Sequence, residues 1–216
     1  EILRNVEGFD LPGLDELTYY RTIAADFRGH PVLVARTGYT GEDGFEFYLA
    51  PERAPELWEA LIETGGGSGL VPAGLAARDT LRLEAGMPLY GHELTTSTFP
   101  VQAGLGRVVA LTKDGDFVGR AAVEEGPPAD ARVLVGLVAE GKRAGRAGYP
   151  IVVPDGAQIV GEVTSGALSP TLGVPISMAY VDPDYAAVGT ALHLDVRGTR
   201  VPASVVALPF YKREKN

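Results

Sequence analysis

Apolar and polar positions alternate with a period of two early in the chain and then change to helical spacing. Residues 31–36, Pro-Val-Leu-Val-Ala-Arg, read as a strand rich in β-branched residues. Residues 45–49, Phe-Glu-Phe-Tyr-Leu, read as a second strand, with Phe45, Phe47 and Leu49 on one face and Glu46 and Tyr48 on the other. The turn-prone stretch 38–44 between them predicts a hairpin. A helix is expected from Pro51, with Glu52 and Glu56 near its positive end and Ala54, Leu57, Trp58 and Leu61 as its apolar stripe. The run Gly65-Gly66-Gly67 ends it. A second helix is predicted over 74–84, where Leu75, Ala76, Leu81 and Leu83 supply apolar contacts.

Beyond residue 130 the rhythm changes. Short β-rich runs at 133–138, 151–153, 158–164, 177–181, 192–196 and 201–208 are mostly separated by Gly or Pro, with no convincing amphipathic helix between them. This pattern predicts a small barrel or sandwich. Alternation along 191–196 places His193 on a wet face. The best boundary is the segment 124–130, Glu-Glu-Gly-Pro-Pro-Ala-Asp, whose adjacent prolines disfavour both helix and central strand. Charge shifts there as well: residues 1–125 hold 20 acids and 10 bases, and residues 126–216 hold 8 acids and 9 bases. The expectation is two domains, 1–125 with an α+β pattern and 126–216 all-β.

Composition narrows the function. The 216 residues are 45% hydrophobic and 22% charged, as in ordinary globular proteins, and a net charge of −9 opposes general binding to nucleic acid or anionic membranes. The absence of cysteine removes disulfide scaffolds, Cys-ligated metals and thiol nucleophiles. His30, His92 and His193 are far apart, so a histidine-rich metal site is not expected. No run of about 18 apolar residues exists to span a bilayer. The first residues, Glu-Ile-Leu-Arg, lack both a signal-peptide pattern and a starting Met, as expected of a processed or truncated chain in a cytoplasmic setting.

The densest candidate for chemistry is RTGYTGEDGFE, residues 36–46. Its glycines suit a tight turn, and an acidic hairpin is one complete account of it. The other account gives Glu46 a recognition role. A strand-held carboxylate can accept paired hydrogen bonds from a neutral heterocycle carrying a ring N–H and an exocyclic amine, and Tyr39 can stack on such a ring. The second candidate is GLAARDTLRLEAGMP, residues 74–88. Here Arg78 and Arg82 are neighbours on one helix face, and Asp79 lies three positions before Arg82. Either the cluster is a salt-bridged surface, or Arg78 turns its planar fork to a carboxylate or polar ring while Arg82 stays with Asp79. Met87 reads as a core filler. His92 beside Glu93 reads as loop packing or capping ahead of proton transfer, since no nucleophile accompanies it. Ser165 and Ser169 have no base placed by sequence to activate them, which disfavours a serine hydrolase. In the closing LPFYKR, residues 208–213, Phe210 and Tyr211 argue that the tail docks, and Arg213 could then reach a carboxylated ligand.

Together, RTGYTGEDGFE and the later GLAARDTLRLEAGMPLYGHEL, with GLGRVVALTKDGDFVGRAA at 104–122 and the closing LPFYKR, resemble the aminomethyltransferase (T-protein) family of the glycine cleavage system. The resemblance implies an α+β folate-binding region followed by a β-barrel. It implies tetrahydrofolate as co-substrate and a lipoyl-bearing carrier, the H-protein, as partner. The carrier's aminomethyl adduct would give its one-carbon unit to folate as a methylene bridge while ammonia leaves. It further implies that Glu46 holds the pteridine's amino and ring N–H groups, that Tyr39 lines the pocket, that Arg78 lies at the folate site and that Arg213 supports it from the tail. No metal or redox cofactor is implied. The carboxylate that tunes the reacting amine would come from an N-terminal portion expected to be absent here, leaving the folate-binding region incomplete and the catalytic residue unassigned. Two other readings share the fold: a folate-dependent demethylase module of an amine oxidase, and a non-enzymatic folate-binding or iron–sulfur-assembly protein. The missing dinucleotide fingerprint weighs against an attached flavin domain, and the missing cysteine against the last reading.

Overall fold

A computed structural model describes Glu1–Arg213. Two compact units divide between Arg78 and Asp79, within a single helix.

The first unit is built on an antiparallel sheet in the order β1 (Phe9–Asp10), β2 (Thr22–Phe27), β3 (His30–Ala35) and β4 (Glu46–Tyr48). The sequence reading found β3 and β4 and missed β2. Its signal was the two-residue turn Arg28-Gly29, both at positive φ (53° and 82°), with the Gly29 N–H donating to Asp26 Oδ1 at 2.6 Å. Such a turn matches the twist of a tight hairpin. Pro51–Arg53 form a short 3₁₀ turn that leads into helix α1 (Ala54–Gly65). Leu57 and Ala60 pack with Phe9, Phe27, Val32 and Val34. Two stripe assignments need correction: Ala54 is exposed and Trp58 is 53% exposed, while Ala60 takes an inward position. The helix runs to Gly65 and the chain turns at Gly69, whose φ is 84°. Phe27 and Val34 are fully buried. The expectation of an incomplete α+β region is corrected to this extent, that the sheet and α1 form a hydrophobic core of their own.

Helix α2 (Leu75–Glu84) follows. Leu75, expected to be a contact residue, is 84% exposed, whereas Leu83 is buried. A short helix α3 (Arg120–Glu125) ends at Gly126.

The second unit contains a closed six-stranded antiparallel barrel in the order β10-β5-β8-β7-β6-β9. Its strands are β5 (Val133–Ala139), β6 (Pro150–Val152), β7 (Ile159–Leu168), β8 (Pro175–Val181), β9 (Ala191–Val196) and β10 (Thr199–Val206). All six predicted runs are strands, and closure decides for the barrel over the sandwich. Inward residues such as Leu137, Ile151, Val163, Val181 and Leu194 form its core. Ile176 and Met178 lie in a second cluster with Leu83, against which Leu208 and Phe210 of the tail pack. His193 is only half-exposed, with its Nδ1 sealed from solvent, because β9 pairs with strands on both sides.

No helix among the described residues is long and apolar enough to cross a membrane.

Candidate functional site

In the first unit, the connection from β3 to β4 carries most of the candidate chemistry. Arg36 leaves β3 and closes the loop with a two-pronged bond to Asp43, Nε to Oδ1 and Nη2 to Oδ2, each 2.9 Å. Its Nη1 donates to the Leu17 carbonyl at 2.8 Å. Hydrogen bonding to Asp43 raises the Arg36 guanidinium above its ordinary value, with burial opposing. Inside this clamp Gly41 adopts a φ of 76°, a conformation costly for any residue with a Cβ. The Glu42 N–H donates to Thr40 Oγ1 at 3.3 Å. The clamp explains how the sequence tolerates Glu42 beside Asp43: Glu42 is exposed, and Asp43 is neutralised locally.

Two residues singled out in separate motifs meet here. The Arg78 guanidinium lies over the half-buried Tyr39 ring, 4.6 Å from its centroid. A cation held over an aromatic face contributes about 0.5–1 kcal/mol at an exposed site. Glu46 begins β4 on the solvent-facing side, and its Oε2 accepts a hydrogen bond from the Thr37 hydroxyl. Tyr39, Glu46 and Arg78 thus all belong to the first unit. A cleft of about 1030 Å³ in that unit is lined by Arg36, Asp43, Phe45, Phe47 and Trp58, among others, and by none of those three. Strand alternation explains the separation, since Phe45 and Phe47 point away from the face of Glu46. Arg213 belongs to the second unit and is exposed. It stands two residues beyond Tyr211, whose N–H donates to the Glu84 carbonyl at 2.9 Å.

In the second unit the structure separates Arg82 from Arg78. Arg82 is 1% exposed. Its Nη1 donates to Glu93 Oε2 at 3.0 Å, its Nη2 to Ser165 Oγ at 2.8 Å and its Nε to Asp79 Oδ1 at 2.8 Å. Glu84, also buried, accepts from the Ser169 hydroxyl, from the Thr171 N–H at 3.1 Å and from the Thr171 hydroxyl at 2.8 Å. A register shift in β7 between Val163 and Ser165 turns Ser165 to the side of Met178, away from the barrel core and toward Arg82. His92 Nδ1 reaches the Thr164 carbonyl at 3.0 Å and lies 3.5 Å from Ser165 Oγ. A carbonyl only accepts, so the Nδ1 proton is committed to Thr164 and that nitrogen is no base for Ser165. Glu93 acts as a cap, accepting the Leu89 N–H at 2.9 Å. The sequence reading allowed Glu93 a capping role, as found, but missed its bond to Arg82, and it missed Thr37 and Glu84 as working partners. The only signal for Thr37 was strand register, while Glu84 and Ser169 are 85 positions apart.

Tyr180 donates its hydroxyl to the Glu93 carbonyl at 2.7 Å. Burial, with the Glu93 charge adding to it, pushes the phenol up from 10.0 to about 12. A raised folded-state value means that the stability contribution is fully present below about pH 10 and is lost as pH rises through 12. Spectrophotometric titration is expected to show one tyrosine ionising late, and Tyr180→Phe to remove that step.

Two family models match the chain. GCVT N-terminal domain covers residues 1–113, and Glycine cleavage T-protein C-terminal barrel domain covers residues 132–212. The first match corrects the expectation that the N-terminal domain is lacking, since residues 1–113 match its family model. The aminomethyltransferase of Streptomyces avermitilis is 59% identical over 222 residues, covering 99% of this chain and 58% of the relative. That of Cutibacterium acnes is 60% identical over 198 residues, covering 92% and 53%. The crystal structure of glycine cleavage system aminomethyltransferase T from Bartonella henselae superposes with a TM-score of 0.85 at 35% identity, over 98% of this chain and 56% of that one. The chain thus spans between half and three-fifths of the length of these relatives.

Proposed function

Because the chain belongs to the glycine cleavage T-protein family, we propose that it serves tetrahydrofolate-dependent aminomethyl transfer, forming 5,10-methylenetetrahydrofolate and releasing ammonia. In this reading the folate-binding region is 1–125 and the barrel region 126–216. The one-carbon donor is the aminomethyl-lipoyl H-protein, and the setting is cytoplasmic. Tetrahydrofolate supplies the amine that accepts the carbon; the residues of this chain bind and orient it.

The observation that carries the reading is a convergence. Tyr39 lies under Arg78, and the loop that holds Tyr39 delivers Glu46 at the start of β4. The chemistry of this set fits the ligand. Glu46 offers acceptors to the pteridine's amino and ring N–H groups, Tyr39 an aromatic edge, and Arg78 a cation for polar or anionic parts. Arg213 stands as a proposed folate contact, supported by the resemblance in the closing residues.

Glu46→Ala is expected to weaken tetrahydrofolate binding by more than about 1 kcal/mol, at least about fivefold, because one partner of a charge-assisted pair is lost. The measurement is an anaerobic calorimetric titration of the full chain, with far-ultraviolet circular dichroism to show that the fold is kept. Wild-type affinity in the variant would overturn the assignment.

A further inference from the structure

Thr37 has no role in the folate reading, yet it touches the carboxylate on which that reading depends. Across β3 and β4, Ala35 pairs directly with Glu46. Strand side chains alternate, so position 37 returns to the face of Ala35 and Glu46 as a diagonal neighbour, within reach of a long side chain. Its hydroxyl donates to Glu46 Oε2. The residue between them, Arg36, is tied to Asp43 and to the Leu17 carbonyl instead. The glycine-rich loop is therefore anchored by two separate bonds, one of which ends on Glu46.

An exposed glutamate samples many rotamers, and fixing one costs conformational entropy. A hydroxyl bound to one oxygen meets much of that cost before a ligand arrives. It consumes a single lone pair, which leaves Oε1 whole and one site on Oε2, enough for a paired N–H donor. We infer that Thr37 is a positioning residue, whose hydroxyl orients the Glu46 carboxylate for the paired N–H groups of an amidine-like heterocycle. The inference rests on the folate reading and adds to it the group that prepares the acceptor.

Thr37→Val keeps the β-branched shape and removes the hydroxyl, whereas Thr37→Ser keeps the hydroxyl. Calorimetry on the full chain is expected to show tetrahydrofolate binding about tenfold weaker in Thr37→Val and within about twofold of wild type in Thr37→Ser. Added to Glu46→Ala, Thr37→Val should weaken binding no further, because its effect runs through that carboxylate. Wild-type affinity in Thr37→Val alongside a weakened Glu46→Ala would overturn the inference and leave the folate reading standing. So would a serine variant as weak as the valine variant, which would mark the methyl contact as the cause. Wild-type affinity in Glu46→Ala would instead remove the folate reading, and this inference with it. A readout without ligand completes the test: the Thr37 hydroxyl proton should exchange slowly enough to be seen by NMR and vanish in Glu46→Ala. Fast exchange in the wild type would overturn the inference.

Discussion

Arg82→Met is expected to destabilise the protein by about 3–5 kcal/mol, lowering its melting temperature by roughly 10 °C. The loss comes mainly from what is left behind. Glu93 is fully buried and its carboxyl group would be left with only the Leu89 N–H to serve it. Ser165 would lose its guanidinium contact, and the Met87 carbonyl a donor at 3.2 Å. Asp79, 58% exposed at its side chain, would simply turn to water. Arg82→Lys should recover only part of the loss, because an ammonium cannot span Asp79, Glu93 and Ser165 as a rigid fork does. Adding Glu93→Leu to Arg82→Met should restore stability relative to the single variant, since the stranded charge is then gone. On the exposed part of the same helix, Arg78→Ala should cost no more than about 1 kcal/mol, the worth of its contact with the Tyr39 ring. Thermal and urea unfolding of the set would decide. A loss below about 1 kcal/mol in Arg82→Met would show that Glu93 finds water or another partner.

These two arginines mark how far the sequence could be read. Helical spacing put them on one face and gave Asp79 to Arg82, and the local pair is there. What burial does to Arg82 depends on Glu93 and Ser165, 11 and 83 positions away, which no periodicity reveals. The barrel strands were legible for the opposite reason: each is a short apolar run bounded by Gly or Pro, and pairing leaves its pattern unchanged. Strand β2 was missed because Ala24 and Ala25 blur its alternation. Trp58 and Leu75 were misassigned because size and hydropathy say what a side chain could bury, while the packing partner decides what it does bury. In the candidate site, strand alternation separated Glu46 from Phe45 and Phe47 from sequence alone. The stacking of Arg78 on Tyr39, 39 positions apart, required the fold.

Gly166→Ala should cost the barrel about 3 kcal/mol, the upper range for forcing a group into filled space. Gly166 lies in β7 without a left-handed backbone, so conformational freedom is not what the position demands. Space is the constraint. A Cβ there would run into the Gly145 carbonyl oxygen and come within 2.7 Å of Ser177 Oγ. Gly145 is confined in turn, since a Cβ on it would approach Ser177 Oγ and Val163 Cγ2 at 3.2 Å. The two backbones therefore pack directly on each other, and Arg146 fastens the contact by donating to the Gly166 carbonyl at 2.9 Å. An added methyl must push on the Gly145 segment, which itself has Val163 and Leu194 of the core close behind it, so relief at one clash tightens another. Gly148 provides the contrasting case. Its φ is 83° and nothing lies within 4 Å of an added Cβ, so Gly148→Ala meets only the left-handed penalty of about 1–2 kcal/mol. Urea unfolding of both variants separates the two mechanisms. Steric exclusion predicts that Gly166→Ala is the more damaging and that Gly166→Ser is worse still. Equal losses would mean that the β7 backbone moves freely enough to admit a side chain, and the close approach of Gly145 would then be incidental to stability.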